Sequence, residues 1–175
     1  PSSHVRHNLE GLGTIFPPAY LLSFVTGGES EPARDGSAGR ALEFRSRMPG
    51  MLGLTWRSAE FEDEDLREIA AEIATAKTIR AAVPAAASFM LTDQARADGG
   101  SEFDAVQLFS PAARTSALFV YAGDSVDWFS IRLKGLEADT RYLISTVWGE
   151  ELAEATGAEL MTAGVDVVNS IVFDN

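Results

Sequence analysis

The two histidines of the chain, His4 and His7, are three residues apart and are the side chains best suited to bind a metal ion. They would need a third ligand, for which the carboxylate of Glu10 is the nearest candidate. A lone pair at this spacing is a weak signal, because it recurs in many proteins that bind no metal. There is no cysteine to supply a thiolate. We therefore predict neither a metal site nor a cofactor.

Acidic residues are concentrated about a third of the way along the chain, at Glu60, Glu62, Asp63, Glu64 and Asp65. The run lacks the alternating ligands and the glycine of an EF-hand calcium loop. Acidic side chains are favoured at the N-terminus of a helix, where the backbone N–H groups carry partial positive charge. We interpret the run as the first turn of a helix.

No segment of the sequence carries a complete set of catalytic residues. Neither Gly27-Gly28 nor Gly99-Gly100 leads from a strand into a helix as a phosphate loop does. No serine lies in a Gly-x-Ser-x-Gly elbow, although a triad built from distant residues stays open. Glycoside cleavage needs two carboxylates about 5 to 9.5 Å apart, and the sequence alone does not fix such distances.

The three tryptophans, Trp56, Trp128 and Trp148, have flat apolar faces on which a sugar ring can stack. Trp128 and Trp148 lie within or beside strand-like runs, so we expect them to pack in the core. Trp56 ends a short apolar run, and a barrel places its substrate contacts at the ends of such strands. For Trp56, substrate contact and core packing both stay open.

The charge of the chain argues against several classes of partner. With 14 basic and 26 acidic residues, the formal net charge is -12, which repels nucleic acid and anionic lipid. The longest apolar stretch, residues 15–25, is broken by two prolines and is shorter than the roughly 20 residues of a membrane span. We expect a cytoplasmic protein with no nucleic-acid or membrane partner. Because the chain opens Pro-Ser-Ser-His-Val, we also expect it to be a piece of a larger protein.

The first half of the chain has a helical pattern with one short strand. The clearest element is a helix at 62–82, where apolar residues recur at helical spacing before Pro84 ends it. A brief apolar run at 51–56 predicts a buried strand. Around them the sequence predicts a short helix at 19–25, a mobile loop at about 27–39 and a second short helix at 40–48.

After residue 84 the pattern changes from helical to alternating. Gly-, Pro- and Asp-containing turns separate short runs of alternating residues, which indicates an antiparallel β-sandwich with its domain boundary near residues 83–87. The predicted strands are 88–91, 105–109, 117–121, 128–133, 141–147 and 171–173.

Five segments, in this order, resemble the C-terminal part of glycoside hydrolase family 36, the α-galactosidases. They are Ser3-His4-Val5, Met51-Leu52-Gly53-Leu54-Thr55-Trp56, Lys77-Thr78-Ile79-Arg80, Arg132-Leu133-Lys134-Gly135-Leu136-Glu137-Ala138-Asp139-Thr140-Arg141-Tyr142 and Glu159-Leu160-Met161-Thr162-Ala163-Gly164-Val165. The sequence departs from the family pattern between residues 8 and 39, which leaves the substrate and the role of His4 open.

The resemblance implies an α+β fragment, made of the last strands and helices of a (β/α)₈ barrel followed by an antiparallel β-sandwich. Residues 1–84 would end the barrel and residues 85–175 would form the sandwich. His4-Val5 would lie at the C-terminal end of the penultimate barrel strand, and residues 51–56 would form the last strand. His4 and Trp56 would then both contact substrate.

The resemblance also implies a function that depends on residues outside this sequence. Members of the family cleave terminal α-galactosides with retention, using an aspartate in a Lys-Trp-Asp segment and a second aspartate as acid/base. No Lys-Trp-Asp occurs here, so we predict that the chain holds no catalytic residue and is inactive alone. Its expected partners are the rest of the parent barrel, carbohydrate in the parent enzyme and further copies of the chain in a homo-oligomer. The alternative is a non-catalytic module, glycan-binding or structural.

Overall fold

The computed structural model describes residues 2–26, 36–55, 61–93, 103–122 and 128–168. The chain divides into two compact units. Unit 1 contains Pro1–Ser88 and Leu108–Ala117, and unit 2 contains Phe89–Gln107 and Leu118–Asn175. No helix in the described ranges has the length and apolar character needed to cross a membrane. The predicted division into 1–84 and 85–175 stays a prediction.

Up to Ala82, the described part of unit 1 contains three α-helices and two strands that form a parallel pair. Its elements are helix α1 (Ser2–Gly13), a 3-10 turn (Pro18–Tyr20), strand β1 (Leu22–Thr26), helix α2 (Gly36–Arg45), strand β2 (Met51–Thr55) and helix α3 (Asp63–Ala82). Strands β1 and β2 run parallel, from Leu22 opposite Met51 to Thr26 opposite Thr55. Val25 and Phe44 are fully buried in the core of this unit.

Helix α3 confirms the helix predicted at 62–82, and the acidic run supplies its N-cap and first turn, as predicted. Glu62 is the N-cap, and its backbone N–H donates to the carboxylate of Asp65 at 3.2 Å. Asp63, Glu64 and Asp65 all lie in the first turn, where negative charge is stabilised. Strand β2 likewise confirms a strand within the predicted run at 51–56, but the predicted burial is wrong because its residues are half-buried or exposed. Trp56 itself lies outside the described residues.

Two predictions for the start of unit 1 are wrong. Residues 22–26 form strand β1 where a helix was predicted at 19–25, because the prolines begin a 3-10 turn and the following residues pair with β2. Helix α2 begins at Gly36, inside the predicted mobile loop, and extends the predicted helix at 40–48 toward its N-terminus. The rest of that loop, residues 27–35, lies outside the described ranges.

The second half of the chain carries several small sheets and one short helix. Strands β3 (Ala87–Met90), β4 (Phe103–Ser110) and β5 (Thr115–Ala122) form one sheet in that order. Strand β6 (Trp128–Ile131) pairs antiparallel with β9 (Val165–Val168), and β7 (Arg141–Ser145) pairs antiparallel with β8 (Glu151–Thr156). Helix α4 (Gly157–Thr162) follows β8.

Five of the six predicted strands after residue 84 are confirmed as β3, β4, β5, β6 and β7. The sixth, 171–173, lies outside the described residues, while β8, α4 and β9 were not predicted. The described part of the chain is a mixed α and β fold with several small sheets. Their arrangement as a sandwich stays a prediction.

Candidate functional site

His4 lies in the first turns of helix α1, and its side chain is exposed. The prediction that His4-Val5 ends a barrel strand is therefore wrong, because residues 2–13 are helical. The strand that precedes β2 in the parallel pair is β1, which begins at Leu22, eighteen residues after His4. Trp56 lies outside the described residues, so the predicted common location of His4 and Trp56 stays a prediction.

The helical conformation of α1 places His4, His7 and Glu10 at intervals of three residues. Glu10 is buried, and its carboxylate lies 3.6 Å from the guanidinium of Arg6, one turn earlier. Among the described residues, His4 joins no cluster of three or more side chains that could hold a metal ion. Of the three candidate ligands, His7 and Glu10 offer atoms within 4.8 Å of each other, and Arg6 also pairs with Glu10 across one turn of the helix.

The carboxyl end of the β1–β2 pair is where a parallel sheet places its functional groups. One face of the pair carries Leu22 and Phe24, which are 59% and 43% exposed. The ring of Phe24 lies over Gly53, because a Cβ built on that glycine would be 2.6 Å from Cδ1 of the ring. An apolar face of this kind is unusual for parallel strands, which are normally covered on both faces.

Both outer edges of the pair offer backbone groups to further strands. The N–H of Met51 donates to the carbonyl of Leu21, and the register then directs the odd-numbered residues of both strands toward each other. The N–H groups that point away from this ladder belong to Leu22, Phe24, Thr26, Leu52 and Leu54. The described residues provide no strand on either side of the pair.

Arg47 anchors the outer edge of β1 at Phe24. Its Nε donates to the Phe24 carbonyl at 2.6 Å, and Nη1 donates to the Glu43 carbonyl at 2.8 Å. Its guanidinium also pairs with the carboxylate of Glu43, and both side chains are at least 95% buried. This buried pair fixes the segment between α2 and β2 against the middle of β1.

Two further arginines hold α2 against the first half of α3. Arg40 contacts Asp65 at 2.5 Å and Glu68 at 3.0 Å. Arg45 makes a two-pronged contact with Glu72, at 2.7 and 3.1 Å. These contacts hold α2 against α3.

The buried Arg47–Glu43 pair has a signal in the sequence. Glu43 and Arg47 are four residues apart with Phe44 between them, which is the spacing of an ion pair on one face of a helix. Nothing in the spacing distinguishes a buried pair from an exposed one. Its burial depends on the position of β1, which was predicted to be a helix.

Trp128 and Trp148 are 65% and 72% exposed, so the prediction that both pack in the core is wrong. Trp128 shares one face of β6 with Ser130, because alternate residues of a strand point the same way. Asp166 is the cross-strand partner of Ser130 and is also exposed. An exposed aromatic ring, a hydroxyl and a carboxylate therefore lie on one sheet face.

Trp148 lies in the turn that joins β7 to β8, residues 146–150. Leu143 and Leu152, on the two strands, are each 59% exposed. Nearby, Nε of Arg141 donates to Glu154 at 2.6 Å, and this hydrogen bond lowers the pKa of the Glu154 carboxyl. The ribbon thus exposes apolar side chains beside an ion pair.

Thr156 is the N-cap of helix α4 and forms a capping box with Glu159. The Glu159 carboxylate accepts hydrogen bonds from the backbone N–H and the hydroxyl of Thr156, both at 2.8 Å, and these bonds lower the pKa of Glu159. The N–H of Glu159 donates back to the Thr156 hydroxyl at 3.2 Å. Glu154 and Glu159 therefore both have structural partners, so their lowered pKa values do not indicate catalysis.

No protein-family model matches the sequence, and no curated protein matches it. Solved structures do match the fold. The galactosidase domain of an α-galactosidase-sucrose kinase, AgaSK, matches with a TM-score of 0.73 and 20% identity. The match covers 95% of this chain and 22% of that chain.

Two further structures give the same result. The GH36 α-galactosidase AgaA from Geobacillus stearothermophilus matches with a TM-score of 0.72 and 18% identity, over 95% of this chain and 22% of that chain. An α-galactosidase from Lactobacillus brevis matches with a TM-score of 0.67 and 18% identity, over 87% of this chain and 20% of its own. This chain therefore spans about a fifth of these proteins and has the fold of a part of GH36 α-galactosidases.

Proposed function

We propose that the chain is the C-terminal portion of a retaining, α-galactosidase-like glycoside hydrolase that acts on terminal α-galactosides. In this proposal β1 and β2 are the last two strands of a (β/α)₈ barrel, α3 is the last barrel helix, and the later strands form the β-sandwich domain. The two catalytic aspartates lie elsewhere in the parent protein, and the 175-residue chain is inactive by itself.

The fold likeness is the observation that carries this proposal, since it extends over 95% of the chain. The β1–β2 pair supports it independently. Two parallel strands with open edges and an apolar face do not form a stable sheet alone, whereas a barrel covers both faces and pairs both edges. The carboxyl ends of these strands would then line the substrate end of the barrel.

Hydrolysis of an aryl α-galactoside tests the proposal. The reading frame that extends upstream of Pro1 is expressed together with this chain, and the 175-residue chain is purified separately as the comparison. We expect the longer protein to cleave the substrate and the short chain to be inactive. A longer protein without activity, or an active short chain free of host enzyme, would overturn the proposal.

A glycan-binding module is the second candidate, and the exposure of Trp128 and Trp148 favours it. On the β6 face, a sugar ring could stack on Trp128 while the Asp166 carboxylate accepts hydrogen bonds from its hydroxyl groups. This function would need no catalytic carboxylates. It would leave the two tryptophans exposed in the complete protein.

Tryptophan fluorescence of the 175-residue chain, titrated with galactose and raffinose, tests this candidate. Saturable quenching that is lost in Trp128→Phe but kept in Trp148→Phe would place sugar on the β6 face. Quenching lost only in Trp148→Phe would place it on the β7–β8 turn instead. Absence of quenching in the unsubstituted 175-residue chain would refute glycan binding and leave a structural role for unit 2.

A further inference from the structure

We propose that a cavity within unit 1, beside the second half of helix α3, binds a small apolar anion. The ligand class is one six-membered ring, or a short branched chain, that carries a carboxylate. The proposal does not depend on the hydrolase function, because the cavity lies at the opposite ends of β1 and β2 from the predicted substrate end. We call it the α3 cavity.

The walls of the α3 cavity are mainly apolar, and all belong to unit 1. Its volume is about 180 Å³. Pro18 lies just before β1 and Met51 is the first residue of β2, which places the cavity at the amino ends of both strands. The apolar lining includes Met48, Met51, Ile73, Ala76, Val83 and Leu108.

This volume restricts the ligand. A dry, apolar cavity of about 150 Å³ is known to accept benzene, so this space has room for one ring of that size. The two methionines suit such a site, because their flexible, polarisable side chains adapt to different apolar shapes. The lining thus favours a small apolar group over a sugar.

Two cations at the cavity favour a negatively charged ligand. Lys77 and Arg80 are part of its lining, are exposed, and lie one turn apart on α3. In the described residues neither makes an ion pair, whereas Arg40 and Arg45 both pair with acidic groups of the same helix. In a chain with net charge -12, this is a local excess of positive charge.

A cation near the C-terminal end of a helix also stabilises the helix dipole. That role predicts an effect of Lys77 and Arg80 on stability, with no preference for any ligand. Selective binding of an anion over a neutral molecule of the same shape distinguishes the two roles.

Fluorine NMR of the 175-residue chain can measure this preference, with 4-fluorobenzoate and the neutral probe fluorobenzene. We expect fluorobenzoate to bind more tightly. The double variant Lys77→Gln/Arg80→Gln should weaken the binding of fluorobenzoate about tenfold, because it removes two partly exposed ion pairs with the carboxylate. It should leave the affinity for fluorobenzene unchanged. Both changes are on the surface, so the chain should fold. Arg67→Gln, an exposed position on the same helix outside the cavity, is the control.

Ala76→Leu places three extra carbons in the cavity and should abolish binding of both probes. Ala71→Leu makes the same change on an exposed part of α3 and should have no effect. Equal affinity for the two probes, or no effect of the lysine and arginine changes, would overturn the proposed anion preference. Binding that persists unchanged in Ala76→Leu would overturn the assignment to this cavity.

Discussion

Replacing Arg47 alone should destabilise unit 1 more than replacing Arg47 and Glu43 together. The two side chains are paired at exposures of 5% and 1%. Arg47→Met leaves the Glu43 carboxylate buried without this cation, and breaking a buried pair from one side typically costs about 3–5 kcal/mol. Glu43→Gln leaves the buried guanidinium without its carboxylate and should cost a similar amount.

The double variant Glu43→Leu/Arg47→Met removes both charges and keeps similar side-chain volumes. Its main remaining costs are the Phe24 and Glu43 carbonyls, which lose the Arg47 donors now 2.6 and 2.8 Å away, and the same losses occur in Arg47→Met. An unsatisfied group of this kind costs about 1–3 kcal/mol. The two single changes sum to about 6–10 kcal/mol, so the double-mutant cycle should give a coupling of about 3 kcal/mol or more.

Urea unfolding followed by circular dichroism measures the free energy of unfolding of each variant. Arg67→Met is the control, since Arg67 is exposed and, among the described residues, donates to the Asp63 carbonyl at 3.2 Å and to no other group; it should change stability by less than about 0.5 kcal/mol. If Arg47→Met prevents folding, recovery of the fold in the double variant still reports the coupling. Additive costs, with the double variant least stable, would refute the buried-pair argument.

Three further predictions concern single contacts. Glu159→Gln should lower stability above the ordinary glutamate pKa of 4.5. The lowered pKa means that this stabilisation is lost as the pH falls through the folded-state value, so equal pH-stability curves would contradict it. Gly157→Ala should cost about 1–3 kcal/mol by thermal unfolding, because its Cβ would lie 2.2 Å from the Glu137 carbonyl oxygen, whereas a gain from helix propensity would contradict it. Arg40→Met should open the α2–α3 contact to hydrogen exchange more than Arg45→Met, since Arg40 is 6% and Arg45 is 43% exposed; the reverse order would contradict this.

Local signals were sufficient for α3 and β2. The acidic first turn, the helical apolar spacing and Pro84 all agreed on α3, and these features act within the segment itself. The same kind of signal failed for β1. Prolines before it and glycines after it matched helix ends, but pairing with β2, almost thirty residues away, decided the conformation.

Strand β8 and helix α4 of unit 2 were not predicted, the first because its local signal is weak and the second although its signal is clear. Strand β8, Glu-Leu-Ala-Glu-Ala-Thr, is composed mostly of helix formers and is a strand because it pairs with β7. Helix α4 had a readable signature, Thr156 followed three residues later by Glu159, which is a capping box. The exposure of Trp128 follows from which strand face is covered, and a single sequence does not contain that information.

The candidate substrate residues were the least predictable part of the chain. His4 was placed by resemblance at a strand end, but its segment is helical and forms an Arg6–Glu10 pair across one turn. The buried Arg47–Glu43 pair could be proposed from spacing, although its contact with Phe24 required the position of β1. Side-chain roles at a sheet edge depend on strands that are distant in sequence.

Hydrogen exchange of the β1 and β2 amides tests most directly whether this strand pair belongs inside a larger parallel sheet. It compares the 175-residue chain with the protein that includes the upstream reading frame. In the short chain, the outward N–H groups of Phe24 and Leu54 should exchange quickly, while those of Val25 and Gly53, inside the ladder, should be protected. In the longer protein all four should be protected. Fast exchange of the Phe24 and Leu54 amides in both proteins would contradict the proposal that β1 and β2 lie inside a larger parallel sheet.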